Sequence, residues 1–246
     1  MKLNKLIAIA TISLLSGGIS MAQKALNLED IVAGNIIQTK GIGSMTWLKD
    51  GERYSRLENN KQTGGTDIVA YRAKDNSREV IIPSSLLTDK STGRPIPVRS
   101  VSWSADNEKV LIYNNTRRVW RYDTRGDYWV LNLKDGALRQ LGKGMPESSM
   151  MFAKFSPDGT RVAYVSNNNI YVEDIDSGKI TQLTKDGSDT IVNGTFDWVY
   201  EEEFSCRDGF RWSPDGKHIA YWQSDTKGTG VFDIINNVDS IYAKVI

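Results

Sequence analysis

The chain has 246 residues, 39% of them hydrophobic and 25% charged, with a formal net charge of +1. That is ordinary globular composition, with length for one large domain or two small ones. The near-neutral balance argues against nucleic acid or an anionic membrane surface as partner. The single cysteine, Cys206, excludes an internal disulfide, and the single histidine, His218, excludes any site in this chain that needs two imidazoles.

In chain order, the first segment reads as an address. Lys2 and Lys5 make a positive start, Leu6 to Leu15 is apolar, and Ser20-Met21-Ala22 sets small residues before a cut ahead of Gln23. Residues 1–22 are expected to be a signal peptide. The apolar run is too short to span a bilayer, and no cysteine follows the cut to carry a lipid anchor. The mature protein is therefore expected to be exported, periplasmic or extracellular, with no membrane span. Residues 23–40 are expected to be a helical segment, with a short helix over Asn27–Ile37. Asn27 can cap it, and Leu28, Ile31 and Val32 share a face.

From residue 41 onward a repeat takes over. Trp47, Trp103, Phe155 and Trp212 each open a unit, at spacings of 56, 52 and 57 residues. The aromatic is followed by a tight turn: Leu48-Lys49-Asp50-Gly51, Ser104-Ala105-Asp106-Asn107, Ser156-Pro157-Asp158-Gly159 and Ser213-Pro214-Asp215-Gly216. Pro presets the first turn position, and Gly or Asn tolerates the left-handed one. A β-rich stretch follows each turn. In the third unit Asp176-Ser177-Gly178 joins two further expected strands, Asn169–Asp174 and Lys179–Leu183. A period near fifty residues with several strands per unit predicts an all-β fold, a partial β-propeller occupying residues 41–246. About four blades fit, the last incomplete, so this is expected to be the front of a longer protein. An all-β sandwich with coincidental turns is the alternative.

Ahead of the last turn lies Asp197-Trp198-Val199-Tyr200-Glu201-Glu202-Glu203-Phe204. Neighbouring carboxylates about 4 Å apart repel by on the order of 4 kcal/mol at an effective dielectric near 20. On an exposed turn, water screens that repulsion. In a cleft it persists until a cation arrives, so the run is a candidate ammonium receptor, against the plainer reading of a solvated acidic turn. No Gly-x-Ser-x-Gly elbow, HExxH helix, P-loop or paired Cys/His set occurs. No cofactor is called for. Cys206 reads as a packing residue and His218 as a blade-surface residue.

The segment 197–203, followed by Trp212-Ser213-Pro214-Asp215-Gly216, closely resembles the double-glutamate motif of the dipeptidyl peptidase IV family. The blade repeat, the export signal and Leu28-Glu29-Asp30-Ile31 fit the same family. The resemblance implies an N-terminal propeller joined to a C-terminal α/β-hydrolase domain with a Ser-Asp-His triad, lying beyond residue 246. It implies release of Xaa-Pro or Xaa-Ala dipeptides from peptides with a free N-terminus, and a homodimer at full length. By position, Glu202 and Glu203 would hold the substrate ammonium. Arg121, in Trp120-Arg121-Tyr122, would bind the carbonyl between the first two substrate residues. Glu201 would face solvent or a structural partner, and Asp197 would shape the segment. Without the triad the chain alone is expected to be inactive. A tripeptide-releasing relative, or a non-catalytic exported propeller that binds peptides or proteins, are the competing readings.

Overall fold

A computed structural model of the chain describes residues 27–32, 41 and 43–245. The chain divides into two units, residues 1–42 and 43–246. The expected signal peptide lies outside the described residues. Of the expected helix Asn27–Ile37, the described part is α1 (Leu28–Val32), and residues 33–37 lie outside.

The second unit is built from antiparallel sheets laid down in sequence. The first sheet orders β1 (Thr46–Trp47), β2 (Arg53–Asn59), β3 (Thr66–Arg72) and β4 (Arg78–Ile82). A 3-10 turn at Ser84–Leu86 and a ribbon of β5 (Thr88–Asp89) and β6 (Arg94–Pro95) lead onward. The second sheet contains β7 (Ser100–Trp103), β8 (Lys109–Val119), β9 (Tyr122–Asn132) and β10 (Leu138–Gln140). The third contains β11 (Met151–Phe155), β12 (Arg161–Ser166), β13 (Asn169–Asp174) and β14 (Ile180–Gln182). Beyond it only two-stranded pairs form. β15 (Ile191–Asn193) pairs with β18 (Gln223–Asp225), and β16 (Phe210–Trp212) with β17 (Ile219–Tyr221). β19 (Ile235–Asn236) pairs with β20 (Lys244–Val245). A helix, α2 (Trp198–Phe204), lies between β15 and β16. Three complete four-stranded meanders and an unfinished fourth are successive propeller blades in an open arrangement, as the repeat predicts.

The recurring turn has one chemistry. The hydroxyls of Ser104, Ser156 and Ser213 donate to Asp106, Asp158 and Asp215 at 2.6, 2.5 and 2.5 Å. Each hydroxyl also accepts the main-chain N–H five residues on, from Lys109, Arg161 and His218, at 2.9, 3.0 and 2.9 Å. The N–H of Asn107, Gly159 or Gly216 closes the turn onto the serine carbonyl. These three have φ of 59°, 67° and 67°, the left-handed region that Asn and Gly enter at least cost. In the first blade Leu48 replaces the serine, and Asp50 alone accepts the N–H groups of Glu52 and Arg53. A second recurrence lies one strand deeper. Tyr54–Tyr71, Tyr113–Tyr128 and Tyr164–Tyr171 are directly opposed cross-strand pairs with stacked rings.

The core sits between blades, not within them. Ile68 and Ile82 of the first blade meet Val110, Ile112 and Leu131 of the second. Leu111, Tyr128 and Val130 of the second meet Val162 and Tyr164 of the third. Ala163, Val165 and Ile170 of the third meet Phe210. A sheet with two apolar faces cannot bury both alone, so each blade completes its neighbour. Polar bridges follow the same path. Trp103 Nε1 donates back to Ser55 Oγ at 3.2 Å, and Trp212 Nε1 donates back to the Lys154 carbonyl at 3.3 Å. Arg139 donates to buried Glu173 at 2.8 Å. Lys154 Nζ sits 2.5 Å from Asp208 Oδ1 and over the Phe210 ring. Burial lowers its pKa to about 8, against the opposing pull of Asp208.

Candidate functional site

Two elements from different blades converge. The first is the β8–β9 hairpin, eleven residues on each side. Its register slips between Asn114 and Arg117 and again before Arg118. Such irregularity bends and twists the outer half of a hairpin away from its sheet. At the tip are Trp120 and Arg121. Trp120 has φ of 55°, a conformation that is rare and unfavourable for a bulky side chain.

The second element is α2. Asp197 caps it, its Oδ1 accepting the Tyr200 N–H at 3.1 Å. Ser205 ends it in the left-handed region with φ of 50°, and the amides of Ser205 and Cys206 return to the Glu201 and Tyr200 carbonyls. Aromatic contacts seat the helix: Phe196 stacks on Tyr200 at 4.7 Å, Tyr200 packs on Phe204, and Trp222 closes on Phe196. The acidic run is thus helical, which the sequence reading did not place. Asp197 three residues before Tyr200 and the i, i+4 pair Tyr200 and Phe204 are the signals that could have found it.

A helix turns by about 100° per residue, so the three acids face three directions. Glu201 points inward and is only 2% exposed. Its Oε1 accepts the main-chain N–H of Arg121 at 3.2 Å, and its Oε2 lies 3.3 Å from Arg207 Nε. Glu202 forms an ion pair with the Arg121 guanidinium; its side chain is 14% exposed against 66% for the arginine. Glu203 is exposed and has no ion pair among the described residues. The expected crowd of three uncompensated charges is therefore already resolved by two arginines of the same chain. Glu201 takes a structural partner rather than solvent. Glu202 and Arg121 are brought together, while Glu203 stands on the adjoining helix face.

Arg207 is a site residue that the sequence reading missed, and nothing in local spacing marks it. Its guanidinium lies 4.1 Å from the Trp120 ring centroid, and its Nη1 donates to the Phe196 carbonyl. Burial pushes its pKa below the usual arginine value, with Glu201 pulling the other way. A cleft of about 270 Å³ opens beside it, lined by Trp120, Arg125, Asp197 and Arg207 among others. Cys206 is half-buried and free, and His218 is exposed.

Chemically, the junction presents one carboxylate engaged on one side by arginine, a second carboxylate open to solvent, and a guanidinium fork with spare donors. Arginine offers five N–H groups in a fixed plane, and Glu202 engages only part of that set. Such a constellation fits a group carrying a cation next to a neutral acceptor.

Comparison with known proteins bears on the same segment. The family description "Dipeptidyl peptidase IV (DPP IV) N-terminal region" matches residues 104–246. A protein of Chaetomium globosum described as probable dipeptidyl-aminopeptidase B is 36% identical over 135 residues, covering 54% of this chain and 15% of that protein. Its counterpart in Aspergillus terreus is 28% identical over 220 residues, covering 85% of this chain and 24% of that protein. The chain thus spans about a quarter or less of the length of these curated relatives. The crystal structure of Porphyromonas gingivalis dipeptidyl peptidase 4 superposes with a TM-score of 0.73 at 24% identity, over 91% of this chain and 31% of that one. That likeness carries the fold, and the match over more than half of the sequence carries the kinship. The chain belongs to the dipeptidyl peptidase IV family and corresponds to its N-terminal region.

Proposed function

We propose that this chain is the substrate-anchoring portion of an exported serine exopeptidase that releases Xaa-Pro or Xaa-Ala dipeptides. Glu202 and Glu203 hold the free amino terminus of the peptide, and Arg121 binds the carbonyl between its first two residues. The observation that carries this reading is the ion pair of Arg121 with Glu202, across 81 positions of sequence. The pair sets the Glu202 carboxylate of α2 beside a guanidinium at the hairpin tip, and that proximity supports the reading.

A peptide α-amine, with a pKa near 7.7–8.0, is largely cationic at neutral pH. Charge-assisted hydrogen bonds to Glu202 and Glu203 anchor it. A fixed amino end sets which peptide bond reaches the nucleophile, and such orientation supplies a large part of a rate enhancement. The nucleophile belongs to an α/β-hydrolase domain elsewhere in the parent protein, which acts as a homodimer.

The test is steady-state kinetics of the full-length gene product on a free-amine Xaa-Pro substrate. Glu202→Gln and Glu203→Gln should each lower kcat/KM by about ten- to a hundredfold, the worth of a hydrogen bond between charged groups. Wild-type kinetics in both variants would overturn the anchor assignment.

A further inference from the structure

We infer that Arg207 is a positioning residue for this site: it clamps Trp120 so that the hairpin tip delivers Arg121 to Glu202. The inference rests on the function proposed above and adds to it a residue that never meets the substrate.

Trp120 holds a left-handed backbone, φ 55°, which for a bulky residue persists only when surroundings over-determine it. Three contacts do so. Arg118 Nε donates to the Trp120 carbonyl at 3.1 Å from within the hairpin. The next amide, of Arg121, donates to Glu201. The Trp120 ring lies on the Arg207 guanidinium. The last two belong to one assembly, since Arg207 and Glu201 are themselves paired at 3.3 Å.

That pair is almost wholly buried, its side chains 9% and 0% exposed. Burying two charges carries a desolvation cost that their attraction seldom exceeds. The geometry is also poor, because neither Arg207 Nε nor Glu201 Oε2 completes a hydrogen bond. As a stabiliser the pair is therefore weak. As a bracket it is effective. Glu201 holds the tip by its main chain, Arg207 holds it by its ring, and Arg207 is tied to the chain entering α2 through the Phe196 carbonyl. Both ends of the bracket sit on the segment that carries Glu202. The separation of Arg121 from Glu202 is thereby set by residues other than the two themselves.

The experiment is a double-mutant cycle in the full-length protein, with Arg207→Lys and Arg121→Ala singly and together. Lysine keeps the charge but loses the planar stack, and it is milder than Arg207→Ala. Arg207→Lys should lower kcat/KM on a free-amine Xaa-Pro substrate by about ten- to a hundredfold, since a displacement of about 1 Å costs on that order. In the Arg121→Ala background the same change should have little further effect. Labelling of the reactive serine by a small fluorophosphonate, which needs no anchored amine, should stay within about twofold of wild type. That labelling also reports that the variants are folded. Additive losses, or equal losses of labelling and peptidase activity, would overturn the inference. So would wild-type kinetics in Arg207→Lys while Glu202→Gln is impaired. If Glu202→Gln is itself unimpaired, the anchor reading has failed instead.

Discussion

The guanidinium of Arg121 and the carboxylate of Glu202 form an ion pair although they belong to different blades and lie 81 positions apart. Neither is positioned by its own strand or helix alone. The hairpin's register slips on the way to its tip, and the helix presents its acids in rotation because Asp197 starts it at a defined residue. The geometry of the pair is thus a property of the junction.

For the proposed activity this has a direct consequence. Arg121→Ala in the full-length enzyme should raise the barrier for a free-amine dipeptide substrate by about 1–3 kcal/mol. The effect should not add to that of Glu202→Gln, because groups in one network are coupled. Measuring kcat/KM for both single variants and the double variant checks this; strict additivity would show that the two residues act separately.

The serine of the repeated turn makes a prediction about stability. Ser156→Ala removes one donor to Asp158 and one acceptor for the Arg161 N–H. Loss of about 1–2 kcal/mol is expected. Ser104→Ala should cost a similar amount. Denaturant titration of the variants decides it.

Acid should weaken the same turns. Hydrogen bonds from Ser156 and Thr160 hold the Asp158 carboxyl at about 2, below its ordinary 3.8. A carboxyl depressed in the folded state contributes stability that is present above its unfolded pKa and lost as pH falls through the folded one. The loss therefore lies between about pH 4 and pH 2. Asp158→Asn should flatten that part of the stability profile, and an unchanged slope would contradict it.

Lys154 predicts the opposite limb. Burial brings its pKa down to about 8 from 10.5. Between those values the unfolded chain binds a proton that the folded chain does not, so this residue makes stability rise with pH in that window. Lys154→Met should remove the rise. It should do so at little cost near neutrality, because Asp208 keeps Arg211 at 2.9 Å. Chemical denaturation between pH 7 and 10 is the measurement.

Much of the architecture was legible because its chemistry is local. The turns at 104–107, 156–159 and 213–216 place Ser, Asp and Asn or Gly at fixed offsets, and the structure uses all three at each. Strand β13 falls on the expected Asn169–Asp174. The helix α2 was not legible. Seven residues with three consecutive acids cannot hold a helix unaided, and what seats this one is the packing of Phe196, Tyr200 and Trp222. Arg207 was hidden for a related reason. Its partners Trp120 and Glu201 come from different segments, and only the fold lays them on either side of it. The role of Glu201 was half visible: a structural partner could be anticipated, but not which one.

The indoles that reach backward have a bearing on how the protein is made. Trp103 fastens onto Ser55, and Trp212 onto Lys154, each in a unit synthesised earlier. A nascent chain leaving the ribosome can therefore dock the second sheet on the first, and the β16 segment on the third sheet, as each is made. Assembly of this kind would be vectorial, and the β8–β9 tip would be the last part of its hairpin to settle, because Glu201 and Arg207, which hold Trp120 and Arg121, are synthesised after it.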